Sequence, residues 1–258
     1  MHDVCTSSFA DGLVPLSTSD MKLKHLIAEL EGVKTWEKPK VELEQYPTSP
    51  EIAAHMLLNA LEEGDIEDAA VADLGCGGGI LGIGAAILGA SHVVAIDLDP
   101  DALRVAAENV AEYEVPVDLM HGDLQTLATR SSASGAGLFD CVITNPPFGT
   151  QKDSNGVDMV FLRAGLQMCS AEGAVYSLHK TSTRAFIQKK TAEWGAEARV
   201  VAQLRWAIPK MYKHHKHASK DVDVDFWRCT PPPARTPTTD AEASEAAEDV
   251  ERLQVARG

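Results

Sequence analysis

Apolar residues recur along this chain with two periods, and the switches between them mark out its elements. Leu23, Leu26, Ile27 and Leu30 at helical spacing predict a helix over 21–32, and Ser49-Pro50 opens a second over 51–61. Between them Pro39, Pro47 and Pro50 keep the chain extended or turned. Residues 69–74 read as a buried strand, broken at Gly75-Cys-Gly-Gly-Gly79 and followed by an apolar helix over 80–89. A strand over 92–97, a helix capped by Asp99-Pro100 and running to about Tyr113, and a strand over 117–121 complete a βαβαβ pattern. After a loop rich in small residues over 123–137 come a strand from Phe139, a helix over 159–168, a strand over 173–178, a helix over 182–194, a strand over 198–204 and a period-two strand over 222–229. The fold class read from this order is α/β: a Rossmann-like, doubly wound, seven-stranded and mostly parallel sheet with helices on both faces. Residues 21–229 form the domain. Residues 1–20 read as a flexible arm, and 230–258, with Pro231-Pro-Pro233 and an Ala/Glu-rich run, as a disordered acidic tail.

Composition changes one part of this picture. The formal net charge of −15 speaks against a polyanionic partner. Its distribution reverses that inference: residues 180–220 hold ten Lys or Arg against two acids, a net of +8, while the remainder carries −23. Lys180, Arg184, Lys210, Lys213 and Lys216 are the candidate phosphate contacts of a nucleic-acid face, and His214, His215 and His217 suit that patch better than a metal site. The five cysteines form no C-x-x-C pair, so neither zinc nor a disulfide framework is indicated, and no run of about 18 apolar residues marks a membrane span. A soluble, intracellular protein follows. His179-Lys180 reads as a solvated loop that touches substrate, and Trp194 and Trp206 as core.

Two corners carry chemistry. The strand entering Asn145-Pro146-Pro147-Phe148 must stop there, because two prolines remove two donors and fix φ. At the carboxyl end of a parallel strand the turn presents an amide oxygen, an outward carbonyl and an aromatic face. That set suits a planar ring with an exocyclic amine: Asn145 and the Pro146 carbonyl accept the two N–H bonds, and Phe148 stacks. The second corner is the glycine turn. Gly77 to Gly82 matches the dinucleotide fingerprint G-x-G-x-x-G, with Asp97 twenty residues beyond Gly77. The same backbone also serves S-adenosyl-L-methionine, and Asp73 decides between them, since a carboxylate repels a pyrophosphate and attracts a methionine ammonium. Asp123, after the third strand, is placed for the adenine amine.

Asp73-Leu-Gly-Cys-Gly-Gly-Gly79, Ile96-Asp-Leu-Asp-Pro100 and Asn145-Pro-Pro-Phe-Gly-Thr150 resemble a class I methyltransferase acting on an amine nitrogen. Glu37-Lys-Pro-Lys40, Leu43-Glu-Gln-Tyr-Pro-Thr48, Val175-Tyr-Ser-Leu-His-Lys180 with Ser182-Thr-Arg184, and Lys189-Lys190 with Ala192-Glu-Trp194 narrow the resemblance to the methyltransferase-like protein 5 family, over residues 21–228. That family makes N6-methyladenosine in small-subunit ribosomal RNA. The resemblance implies that Gln45 and Thr48 fold over S-adenosyl-L-methionine, that Gly75, Gly78 and Ile80 line it, and that Asp97, Asp123 and Leu124 hold its ribose and adenine. It also implies a heterodimer with a small zinc-binding methyltransferase activator subunit and residence in the nucleus, including the nucleolus, and the cytoplasm. Two alternatives stand beside it: an enzyme methylating a glutamine side chain in a protein, against which the basic face argues, and a non-catalytic scaffold, against which Asp73, Asp97 and Asn145 together argue.

Overall fold

A computed structural model of the chain describes residues 18–124, 126–127, 137–149, 156–209 and 219–232. The expected arm up to residue 17, the tail from 233, and Lys210, Lys213, Lys216 and the three adjoining histidines lie outside the described residues. Two helices, α1 (Thr18–Leu30) and α2 (Pro50–Glu62), precede the sheet, with a short 3-10 turn at Val41–Leu43 between them. Then follow β1 (Ala70–Leu74), α3 (Ile80–Ile87), β2 (His92–Asp97), α4 (Pro100–Tyr113), β3 (Val117–His121) and β4 (Phe139–Thr144). The chain continues through α5 (Val157–Met168), β5 (Cys169–Lys180), α6 (Arg184–Glu193), β6 (Glu197–Pro209) and β7 (Ser219–Thr230).

These strands make one seven-stranded sheet in the order β3-β2-β1-β4-β5-β7-β6. The first five are mutually parallel, and β7 runs antiparallel to both of its neighbours. The α/β class and the doubly wound, mostly parallel sheet are as the sequence predicts, because each crossover brings the chain back to start the next strand parallel to an earlier one. The bounds differ where the pattern was weakest. Helix α1 starts at Thr18 rather than Met21, β5 runs twelve residues with an irregularity opposite Phe139–Cys141, and the 182–194 helix contracts to Arg184–Glu193 behind a 3-10 turn at Thr181–Thr183.

Helix starts follow local chemistry. Ser49 accepts from the Ile52 amide ahead of Pro50, and Asp99 accepts from the Asp101 amide ahead of Pro100. Each cap satisfies a donor that the first turn cannot, worth about 1 kcal/mol. Two apolar clusters cover the sheet faces. One joins α1, α2 and α3 to Val71, Ile143, Tyr176 and Phe226; the other joins α5 and α6 to Leu74, Val142, Val175 and Trp227. Strand β7 feeds both, since Phe226 and Trp227 point to opposite faces and are each buried. Full burial of such a side chain contributes about 1.5–3 kcal/mol. Its period-two sequence concealed this, because Asp225 occupies a core position and is fully buried there. The Arg184 guanidinium matches that charge with two bonds of 2.7 and 2.6 Å.

Candidate functional site

The parallel strands β1, β2 and β4 end beside a cavity of about 590 Å³, within the range of small-molecule sites. Its wall comprises Trp36, the 41–46 segment, Gly75, Gly77, Ile96 to Leu98, Gly122 to Leu124, Asn145, Pro147, Val157, Val160 and Phe161. A smaller cavity adjoins it, walled by Thr48, Gly77, Gly78, Ile80, Trp36 and Asn145 among others.

The glycine loop is fixed from beneath. Gly75 and Cys76 amides both donate to the Ile96 carbonyl, at 2.8 and 3.0 Å. Gly75 has φ +70, and a Cβ there would fall 2.6 Å from the Phe161 ring; Gly77 has φ +56, and a Cβ would meet the Trp36 indole at 2.8 Å. Only glycine holds that backbone with an aromatic ring against it on each side. Asp97 accepts from the Gly77 amide with one oxygen and from the Asp99 amide with the other, each at 2.8 Å, while its carboxylate stays on the cavity wall. Burial raises its pKa.

Asp73 sits beneath the loop, 1% exposed. Its Oδ2 accepts from the Gly82 amide at 2.9 Å, and its Oδ1 is buried with no partner. Burial, reinforced by Asp97, pushes its pKa up to about 7 against the opposing Gly82 bond. An isolated buried carboxylate oxygen costs free energy unless a cation or donor reaches it. At the end of β4, Asn145 donates from Nδ2 to Thr48 Oγ1 at 2.8 Å, and its Oδ1 is likewise buried without a partner. These two orphaned acceptors flank the loop that the glycines keep open. A ligand with an ammonium, a ribose and a planar base fits the donors and acceptors present.

The remaining sequence-predicted residues fall into three groups. Gln45, Asp123 and Leu124 stand on the large cavity's wall; Thr48, Gly78 and Ile80 stand on the smaller one. Gln45 also donates to Asp99 at 2.6 Å and accepts from the Lys40 amide at 2.7 Å, so it pins the 40–45 segment against the start of α4. Pro147 faces the cavity, Pro146 is buried, and Phe148 packs on the α1–α3 core cluster. Lys180 ends β5, half-buried, and Arg184 is held by Asp225. The reading of His179 as part of a solvated loop is wrong: β5 carries two residues past Leu178, and His179 is fully buried on it.

Several wall residues escaped the sequence reading. Trp36 lies in a segment without periodicity, and Val157, Val160 and Phe161 look like ordinary helix core. Asn109 left a signal. It follows Ala102, Val105 and Ala106 on the buried stripe of α4, where an amide is out of place. Its side chain holds the Gly78 carbonyl at 2.8 Å and both backbone groups of Lys34, at 2.9 and 3.0 Å, stapling the pre-sheet segment to the glycine loop.

Known proteins share this arrangement. A ribosomal protein L11 methyltransferase (PrmA) family model matches residues 52–145, which run from within α2 to the end of β4. A solved structure from Pyrococcus horikoshii, assigned as an RNA methyltransferase, is 32% identical with a TM-score of 0.70 and covers 81% of this chain and 96% of its own. The rRNA N(6)-adenosine-methyltransferase METTL5 of Danio rerio is 49% identical over 215 residues, 82% of this chain and 100% of the relative. Mettl5 of Drosophila melanogaster is 50% identical over 211 residues, 81% and 96% respectively. Methyltransferases of this fold use S-adenosyl-L-methionine in general, which agrees with the acceptors offered by Asp73 and Asp97. On cavity, orphaned acceptors and full-length identity together, the chain belongs to the METTL5 family of methyltransferases.

Proposed function

We propose that this chain transfers a methyl group from S-adenosyl-L-methionine to the N6 amine of an adenosine in small-subunit ribosomal RNA. The observation that carries the reading is the buried, unpartnered Asn145 Oδ1 at the end of β4, with its amide nitrogen already committed to Thr48. A buried acceptor left open costs about 1–3 kcal/mol. An exocyclic amine entering the corner relieves that cost.

The cofactor supplies both the methyl group and a neutral thioether leaving group. The protein's task is to orient the amine and raise its nucleophilicity. The adenine N6 lone pair is delocalised into the ring. When Asn145 Oδ1 and the Pro146 carbonyl accept its two N–H bonds, the nitrogen is drawn toward tetrahedral and the lone pair localises. Positive charge then develops beside two fixed oxygen dipoles, which need not reorganise. Asp73 pairs with the methionine ammonium, Asp97 takes the ribose hydroxyls, and Asp123 with Leu124 frames the adenine of the cofactor. The target nucleotide must be unpaired or splayed out to reach Asn145. The +8 stretch over 180–220 supports an RNA substrate, because it concentrates basic residues in an otherwise acidic chain.

The same reading includes a small zinc-binding activator subunit that adds a strand along β3. Strand β3 is the sheet edge, and Asp118 and Met120 on it are exposed. Slowed amide exchange over 117–121 on adding the subunit supports that contact; unchanged exchange removes it. Residence in nucleolus and cytoplasm follows the life of ribosomal RNA, and imaging of a tagged chain tests it. The central experiment is nucleoside mass analysis of unmodified ribosomal RNA incubated with the protein and labelled cofactor. Label in N6-methyladenosine is expected; label in another nucleoside, or only in protein, overturns the assignment.

A further inference from the structure

Beside the Asn145 corner, three side chains form a line of hydrogen bonds that the chemistry above does not use. Ser177 and His179 are fully buried on β5. Ser177 Oγ lies 2.9 Å from His179 Nε2, and His179 Nδ1 lies 3.0 Å from Asp158 Oδ2. A carboxylate only accepts, so Nδ1 carries a proton and donates to Asp158, while Nε2 bonds the Ser177 hydroxyl, which can serve as donor or acceptor. Serine, imidazole and carboxylate stand in the order of a hydrolase triad. The roles are missing, however: Ser177 and His179 are both 0% exposed, so no substrate reaches the hydroxyl. Sealed from solvent, these groups can only fix one element against another.

The element they fix is the start of α5. Its N-cap is Gly156, at φ +80, which offers no side-chain cap. A helix whose first turn lacks a cap frays unless something else holds it. Asp158, in that first turn, is held by His179. Val157, on one side of Asp158, and Val160 and Phe161, on the other, wall the large cavity, and Phe161 lies against Gly75. The anchor itself is rigid. Strand β5 is paired on both sides, with Ser177 beside Thr144 and His179 beside Asp225. Asp225 is already occupied by Arg184 and by Thr181, at 2.8 Å, and leaves both imidazole nitrogens to Ser177 and Asp158.

We infer that His179 is a positioning residue: through Asp158 it sets the first turn of α5, and with it the wall against which the cofactor's nucleoside rests. The inference rests on the cofactor assignment above and goes beyond it, because nothing in the reaction requires an imidazole. Calorimetric titration of the full chain with S-adenosylhomocysteine, with a thermal midpoint recorded for each variant, tests it. His179→Leu is expected to weaken binding about tenfold, the scale of one hydrogen bond to a charged partner. His179→Asn places an amide N–H near the position of Nδ1 and is expected to restore affinity to within about threefold of wild type, given an acceptor already in place at Asp158. Asp158→Ala should match His179→Leu, and the double variant should bind no worse than either single one. A merely structural histidine predicts otherwise: Leu and Asn variants would both melt earlier while their folded fractions bound normally. That result, or full affinity in His179→Leu, overturns the inference. Should His179→Leu fail to fold, Asp158→Ala reads the same link from a partly exposed position. A wild-type chain that binds no S-adenosylhomocysteine overturns the proposed function, whereas a binding wild type with an indifferent Asp158→Ala overturns only this inference.

Discussion

Two polar regions of this molecule are built on opposite rules. At the seam where the turn after α2 meets β5, β6 and β7, Glu63 and Asp65 are matched by Arg199, Arg228 and Tyr176. Tyr176 donates to Asp65 at 2.6 Å, Arg228 donates to Asp65 at 2.9 Å and to the Tyr176 oxygen at 3.1 Å, and Arg199 reaches Glu63 at 2.5 Å. Burial and then the Asp65 carboxylate hold the Tyr176 hydroxyl well above its ordinary range, so it stays a donor. At the glycine loop, Asp73 beneath it and Asn145 on the cavity wall each keep an acceptor buried and open. A closed network stabilises the fold; an open acceptor is a cost retained for a ligand.

The contrast can be broken by experiment, and the largest effect should come from Asn145. Asn145→Ala is expected to reduce methyl transfer about a thousandfold, the upper range for losing one preorganised dipole, while calorimetric cofactor affinity stays within about threefold. Equal loss of cofactor binding would show that Asn145 does not belong to the amine. Arg228→Ala should do the reverse. Its side chain is 19% exposed, so leaving Asp65 unmatched should lower stability by about 2–3 kcal/mol in urea unfolding, with cofactor affinity unaltered. Loss of binding without loss of stability there would erase the distinction between the regions.

How much of this was legible beforehand differs between the two. The alternation of strands and helices and the Asn145 and Asp97 corners follow from local pattern: proline, glycine and strand ends sit at fixed offsets in one stretch of chain. The seam was invisible. Asp65, Tyr176 and Arg228 are far apart in sequence, and their meeting depends on β7 lying between β5 and β6, which no local period encodes. His179 was misplaced for a related reason: the apolar run fades at Leu178, yet polar residues continue the strand because Asp158 and Asp225 satisfy them. Trp36 lies two residues past Lys34, which the Asn109 staple holds at the glycine loop, a long-range contact again.

Two smaller effects sharpen the comparison within the cavity. Asp97→Ala should cost about 2 kcal/mol of cofactor binding through lost charge-assisted bonds to the ribose. Unchanged affinity in calorimetry would remove Asp97 from the site. Asp73 predicts opposite pH trends for binding and folding. Its pKa of about 7 in the cofactor-free fold lies above the unfolded value, so the folded state binds the extra proton. The stability this group contributes is complete below the ordinary carboxylate range and is lost as pH rises through about 7. Cofactor binding needs the carboxylate, so affinity should fall about tenfold per unit below that pH and level off above it. Asp73→Asn should flatten both profiles; a wild-type affinity that is flat between pH 5 and about 8 refutes the ammonium contact.

The placement of β7 also bears on how the chain is made. Strands β1 to β5 can pair as soon as they are synthesised, since each new strand finds an earlier one waiting beside it. Strand β6 finds none: among the described residues its only partner is β7, the next strand to emerge. During translation β6 must therefore wait unpaired until residues 219–230 appear, then enter the sheet with them as a hairpin. A message cut short after β6 would leave the open edge of β5 and a long, unpaired strand on the same nascent chain, the combination that invites aggregation. The last strand made thus decides whether everything before it is a protein or a hazard.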